Sequence, residues 1–383
     1  MDRVGKVSII QAVLFYGATI VSYGFNYSGT IEVAKGKYND HSGIFSVIIS
    51  SKIYLSVLSS FLTFSILFFF KLNSYELFII YFSFLIYFIG QSIFPEWFFH
   101  GLQKVGYSLL TIVIWKISYL IAIFFFVTRY EDYLFIIFYD SLLLFFASLG
   151  SFFFTINKCG VKFKLSKLAE IKKSLLSNWY LFSSILMTTF YTKGNYLFLG
   201  LCNSQVEVAV YTIVERYIFM INGLLSLVNR ILLPYIGIFK EKKIGKYIYF
   251  LQLITIAILI VGLLLCFLNL IFAEWVVNLL NDQYHDELLG IFRILSLSFI
   301  PASFCTFVTF VLISEKKSNQ INQINLIGFL GGIVWVAPLT FFFGGLGLAV
   351  GFVSNFYFLF ILNGVQLIRL KKQLLSNNKL DYF

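Results

Sequence analysis

Apolar runs of about 20 residues, separated by short polar breaks, recur from one end of this chain to the other. A helix needs about 20 such residues to cross a bilayer core. The pattern predicts eleven spans, over approximately 8–28, 46–71, 76–94, 107–127, 133–157, 177–201, 208–236, 247–272, 288–313, 321–343 and 346–368. The connections are short, which leaves no room for an inserted soluble domain. The expected fold class is therefore all-α and polytopic.

Charge gives the spans a direction. Alternate connections and the C-terminal tail hold 19 Lys and Arg, whereas the opposite side holds Arg3, Lys6, Lys71 and Arg129. Basic loops stay cytoplasmic, so the 19-residue side and the C-terminus are expected inside. The acidic stretch 273–287, "AEWVVNLLNDQYHDE", is then outside. With an odd number of spans Met1 falls outside too, which suggests that a first span precedes this sequence. The longest basic connection, 158–176, separates an N-terminal bundle of five spans (1–157) from a C-terminal bundle of six (177–368), followed by a tail (369–383). A faint echo between Arg3–Val13 and Val206–Arg216 is consistent with repeated halves, a common build for transporters.

Composition excludes other classes. Only 12% of the residues are charged and 59% are hydrophobic, too few charges to cover a soluble surface. The net charge of +11 follows the loop asymmetry, so it is no nucleic-acid footprint. Cys159, Cys202, Cys266 and Cys305 are scattered without metal-ligand spacing, and the three His are far apart. No metal or cofactor is expected.

The candidate chemistry lies in charges placed inside the spans. Each costs roughly 2.5–3.5 kcal/mol at a helix centre, so such residues face a protein interior or serve a function. On one helix, Arg216 and Arg230 are 14 residues apart, roughly 21 Å along the axis and on one face. Lys193 on the preceding span falls at the depth of Arg216, with Glu215 beside them and Thr188, Thr189, Thr192 and Asn195 nearby in sequence. Lys116 and Asp140 are the counterparts in the first half. The bland alternative is that Lys193–Glu215 and Lys116–Asp140 are neutralising pairs that fix helix packing. Lys52 and Arg293 are near span ends and are expected to snorkel. In "FPEWFFHGL", Pro95 ends a span, Trp97, Phe98 and Phe99 are expected to form an interfacial aromatic belt, and Glu96 with His100 share a helical face as a cytoplasmic gate. "GGLG" (344–347) reads as a tight turn.

Four segments carry a resemblance to a known family: "YGFNYSGTIEVAK" (23–35), "SIFPEWFFHGLQKVGY" (92–107), "ERYIFMINGLLSLVNRILLPYI" (215–236) and "FFGGLGLAVG" (342–351). In that order they resemble O-antigen flippases of the Wzx type, polysaccharide transporters of the multidrug/oligosaccharidyl-lipid/polysaccharide exporter superfamily. The resemblance implies twelve spans in two pseudo-repeated bundles around a central cavity, in the bacterial inner membrane. It implies a substrate of undecaprenyl-diphosphate-linked O-antigen repeat units, moved from the cytoplasmic to the periplasmic leaflet by alternating access. Partners would be this lipid-linked oligosaccharide, membrane lipids, and the O-antigen polymerase and chain-length regulator. Relative to the family, the first span is missing and Ile31 stands where an Arg often follows "YGFN". The six basic and two acidic in-span residues suit a diphosphate, because Arg forks match phosphate oxygens. Substrate contacts are thus expected from Arg216, Arg230, Lys193 and Lys116, with Glu215 and Asp140 as charge partners. Two alternatives compete. An O-antigen polymerase, an enzyme, would need large outer loops, and the longest here is about 15 residues. A drug/cation antiporter would need an acidic cavity.

Overall fold

The computed structural model describes residues 2–35, 41–68, 73–202, 205–240, 244–280, 285–315 and 317–380. Within these stretches the side chains of 193, 195–198 and 226–240, among a few others, lie outside the description. The regular elements are helices: α1 (Asp2–Ser22), α2 (Phe25–Lys35), α3 (His41–Leu67), α4 (Ser74–Ile93), α5 (Glu96–Gly101), α6 (Val105–Phe126), α7 (Phe135–Cys159), α8 (Leu168–Cys202), α9 (Gln205–Lys240), α10 (Ile244–Ile271), α11 (Ala273–Leu280), α12 (His285–Ser296), α13 (Phe299–Ser314) and α14 (Ser318–Leu380). Among the described residues nine helical stretches are long and apolar enough to cross a membrane. The protein is a multi-pass membrane protein of the all-α class.

Most predicted spans fall on single helices, and the exceptions have local causes. The first span bends where Tyr23 and Gly24 both take positive φ, which separates α1 from α2. The ninth is broken between α12 and α13 at Leu297–Ser298. The tenth and eleventh are the two halves of α14, folded back at Gly344, whose φ of 56° and ψ of −136° no residue with a Cβ readily adopts. The halves meet through a Trp335–Phe358 edge-to-face contact at 5.0 Å and a Gln366–Gln320 hydrogen bond at 2.5 Å.

The chain forms two compact units, one of residues 6–189 and one of residues 1–5 with 190–383; the division falls within α8. In the first unit, buried Phe25, Val33, Phe45, Ile48, Trp97 and Phe98 belong to one core. Two of the family-like segments therefore pack on each other: Thr30 on α2 donates to the Trp97 carbonyl on α5 at 3.1 Å. In the second unit, Phe304, Phe307, Val308 and Val311 of α13 pack with Tyr247 and Leu251 of α10 and Leu359 of α14.

Part of the basic connection is ordered as an extended strap. α7 ends at Gly160, in the left-handed conformation that terminates many helices. The next residues then run along α3. The backbone N–H groups of Lys162, Lys164 and Ser166 donate to the hydroxyls of Ser42, Ser46 and Ser50 at 3.1, 3.0 and 3.0 Å. Ser46 also donates to the Lys162 carbonyl at 3.3 Å. The periods explain the match: four helical residues rise about 6 Å, and two extended residues advance about 6.6 Å. Alternation then buries Val161 and half-buries Phe163, while Lys162 and Lys164 are exposed.

Candidate functional site

The sequence-predicted charges separate into three groups. The first surrounds the α4–α5 break. Pro95 interrupts the helix after Phe94, and Lys52 of α3 donates to the Phe94 carbonyl at 3.2 Å. Lys52 is 1% exposed. The expectation that it snorkels is therefore wrong: an orphaned carbonyl at a helix break attracts a buried ammonium, helped by the negative end of the helix dipole. The aromatic-belt expectation fails here as well. Trp97, Phe98 and Phe99 are each 0% exposed and form core rather than interface. Glu96 and His100 are 3.9 Å apart across one turn, and His100 Nε2 lies 3.1 Å from Ser108 Oγ on α6. This brings together the two residues expected at the cytoplasmic mouth.

The second group is Lys116 and Asp140, joined at 3.1 Å between α6 and α7. Trp115 Nε1 donates to the Asp140 carbonyl at 3.0 Å, and the Lys116 ammonium lies 3.6 Å from the Trp115 ring centroid. Cation–π contact and ion pair together meet the needs of a charge within an apolar span. This geometry matches the packing alternative more closely than the substrate-binding one.

The third group is on α9. Glu215 is 1% exposed and shares its buried face with Tyr211 and Thr212, whereas Arg216, one position on, is exposed. Successive helical residues project about 100° apart, so one polar step serves two environments. The side chains of Lys193 and Arg230 lie outside the described residues. Thr188 and Thr189 donate to the carbonyls one turn back on α8, and Thr189 meets Thr19 Oγ1 at 3.3 Å. Arg293 pairs with Glu274 at 3.4 Å with both side chains exposed.

Sequence reasoning missed a fourth group. Lys6 of α1 pairs with Glu76 of α4 at 2.6 Å, and Tyr133 donates to the same carboxylate oxygen at 2.5 Å. Asn73 and Glu76 also form a capping box at the start of α4. The Asn-x-x-Glu spacing was the available signal. Among the described residues no group of three His, Cys, Asp or Glu could hold a metal ion.

The fold is similar to that of several solved membrane proteins. An inward-facing MATE-family multidrug resistance transporter of the MOP superfamily superposes with a TM-score of 0.74, covering 98% of this chain and 92% of that one at 13% identity. The lipid II flippase MurJ, in an inward closed conformation, gives 0.66 over 94% and 80%, also at 13%. At that identity the likeness speaks for the fold. Residues 2–240 match the family described as "Polysaccharide biosynthesis protein", and the chain belongs to that family. Two curated relatives are each named "Putative O-antigen transporter". The one from Escherichia coli (strain K12) is 24% identical over 239 residues, 62% of this chain and 57% of the relative. The one from Shigella dysenteriae is 24% identical over 235 residues, 61% and 59%. The chain thus spans less than two thirds of the length of either relative.

Proposed function

We propose that this protein flips undecaprenyl-diphosphate-linked O-antigen repeat units from the cytoplasmic to the periplasmic leaflet of the bacterial inner membrane, by alternating access and without enzymatic chemistry. The C-terminus is on the cytoplasmic side in this reading. Membership of a polysaccharide biosynthesis family supports it, as do relatives named for O-antigen transport and the transporter fold.

The observation that carries the substrate class is Arg216. Arg216 is exposed within an apolar span, one position from buried Glu215, and its forked, always-charged donors match phosphate oxygens. Arg216 and Arg230 act as rungs for the diphosphate, Lys193 adds positive charge and Glu215 balances it, while the Lys116–Asp140 pair braces α6 against α7. Glu96 and His100 guard the cytoplasmic mouth. A cationic path favours the diphosphate over the cations an antiporter would bind. The O-antigen polymerase and chain-length regulator would take the product onward.

Deleting the gene tests this. Lipid-linked repeat units should be made but stranded on the cytoplasmic leaflet, with surface O-antigen absent. Single repeat units still reaching surface lipid A would refute transport and favour polymerisation.

A further inference from the structure

α10 and the last third of α14 leave a groove of about 280 Å³ between them, lined by Leu251, Ile256, Leu367 and Leu374 with Gln252 and Lys371. These helices run antiparallel here, because Tyr247 at the start of α10 bonds Glu315, and Lys317 beside it bonds Gln373 near the end of α14. From Ile248 to Ile256 the groove extends roughly 12 Å along α10. Its flank is open: Ile256 is 56% exposed and Ile368 58%. An apolar channel of this kind within a membrane protein takes an aliphatic chain, not a sugar.

The charge at this end says what the chain is attached to. Lys246, Lys317, Arg369, Lys371 and Lys372 gather there, with Glu315, held by Tyr247 at 3.0 Å, as the acidic counterpart among the described residues. Lys371 is the one of these that lines the groove itself. A Lys stem packs along apolar surface and carries its ammonium toward the polar interface. Basic clusters at the end of a membrane helix attract anionic lipid.

We infer that the α10–α14 groove is a binding site for an anionic phospholipid, one acyl chain lying between Leu251 and Leu367 and the phosphate paired with Lys371. The bound lipid fills the seam between the two helices and ties their ends to the membrane surface. This inference stands apart from the transported substrate.

The test uses the full chain purified in mild detergent, with phosphatidylglycerol or phosphatidylcholine added back as mixed micelles. The wild type should retain phosphatidylglycerol in preference and show a higher Tm with it. Lys371→Gln should weaken that binding about fivefold, the value of one Lys at an anionic surface. Ile256→Trp, which fills the groove, should lower retention of both lipids. Should a variant fold poorly, 0.5 M salt with the wild type should erase the preference by screening. Equal preference in wild type and Lys371→Gln would overturn the inference. So would a salt-insensitive preference, retention unaffected by Ile256→Trp, or full displacement of phosphatidylglycerol by equimolar polyprenyl phosphate.

Discussion

Lys52 and Phe94, 42 residues apart, are joined by a buried 3.2 Å hydrogen bond from an ammonium to a backbone carbonyl. The helix ends at that carbonyl, whose helical donor, the Phe98 N–H, bonds Pro95 instead, and the lysine of a neighbouring helix meets it. The α4–α5 elbow is thereby fixed, and with it the positions of Glu96 and His100 on the short helix beyond. Lys52→Ala should therefore destabilise the protein by about 2–4 kcal/mol, through a lost partner and an unfilled volume. A thermal melt of the purified protein measures this. A melt unchanged within about 0.5 kcal/mol would return Lys52 to the role of a surface lysine.

The strap on α3 makes a prediction of a different kind. Ser46 both donates to Lys162 and accepts from Lys164, so Ser46→Ala removes two bonds at the centre of the ladder. At about 1 kcal/mol each, their loss should raise the open population of the strap some tenfold or more. Trypsin cleavage after Lys162, Lys164 and Lys167 in membrane vesicles should accelerate accordingly. Equal cleavage rates in wild type and variant would show that the serines do not hold the strap.

For Lys116 and Asp140 the outcome should separate packing from transport. The pair neutralises itself across α6 and α7, so Lys116→Gln should strand Asp140 and lower the amount of inserted protein. Adding Asp140→Asn should restore it. Full insertion of Lys116→Gln, with transport lost, would instead assign the lysine to the substrate path.

Much of the fold was legible because membrane spans advertise themselves by length and apolarity alone. The limits of that signal show at particular residues. Hydropathy cannot say which face of a short apolar run is buried, so Trp97, Phe98 and Phe99 read as interface when they are core. Distance from a span end cannot say that Lys52 has a carbonyl to meet. The strap was invisible because its partners are serine hydroxyls on a helix, and no sheet pattern marks them. At the site, the sequence pointed to Lys116–Asp140 and to Glu96–His100, and both pairs meet. It did not show that Glu215 and Arg216 face different environments, because neighbours in sequence leave a helix in different directions.

In the proposed flippase Arg216 is a contact for the diphosphate, and the most direct measurement is surface O-antigen display per unit of membrane-inserted protein. Arg216→Ala should lose display at a normal protein level. Arg216→Lys should retain part of it, because a point charge replaces a fork incompletely. The Glu215→Gln/Arg216→Gln pair should stay inactive. Restored display in that double variant would show that Arg216 serves only to balance Glu215, and would contradict the central claim.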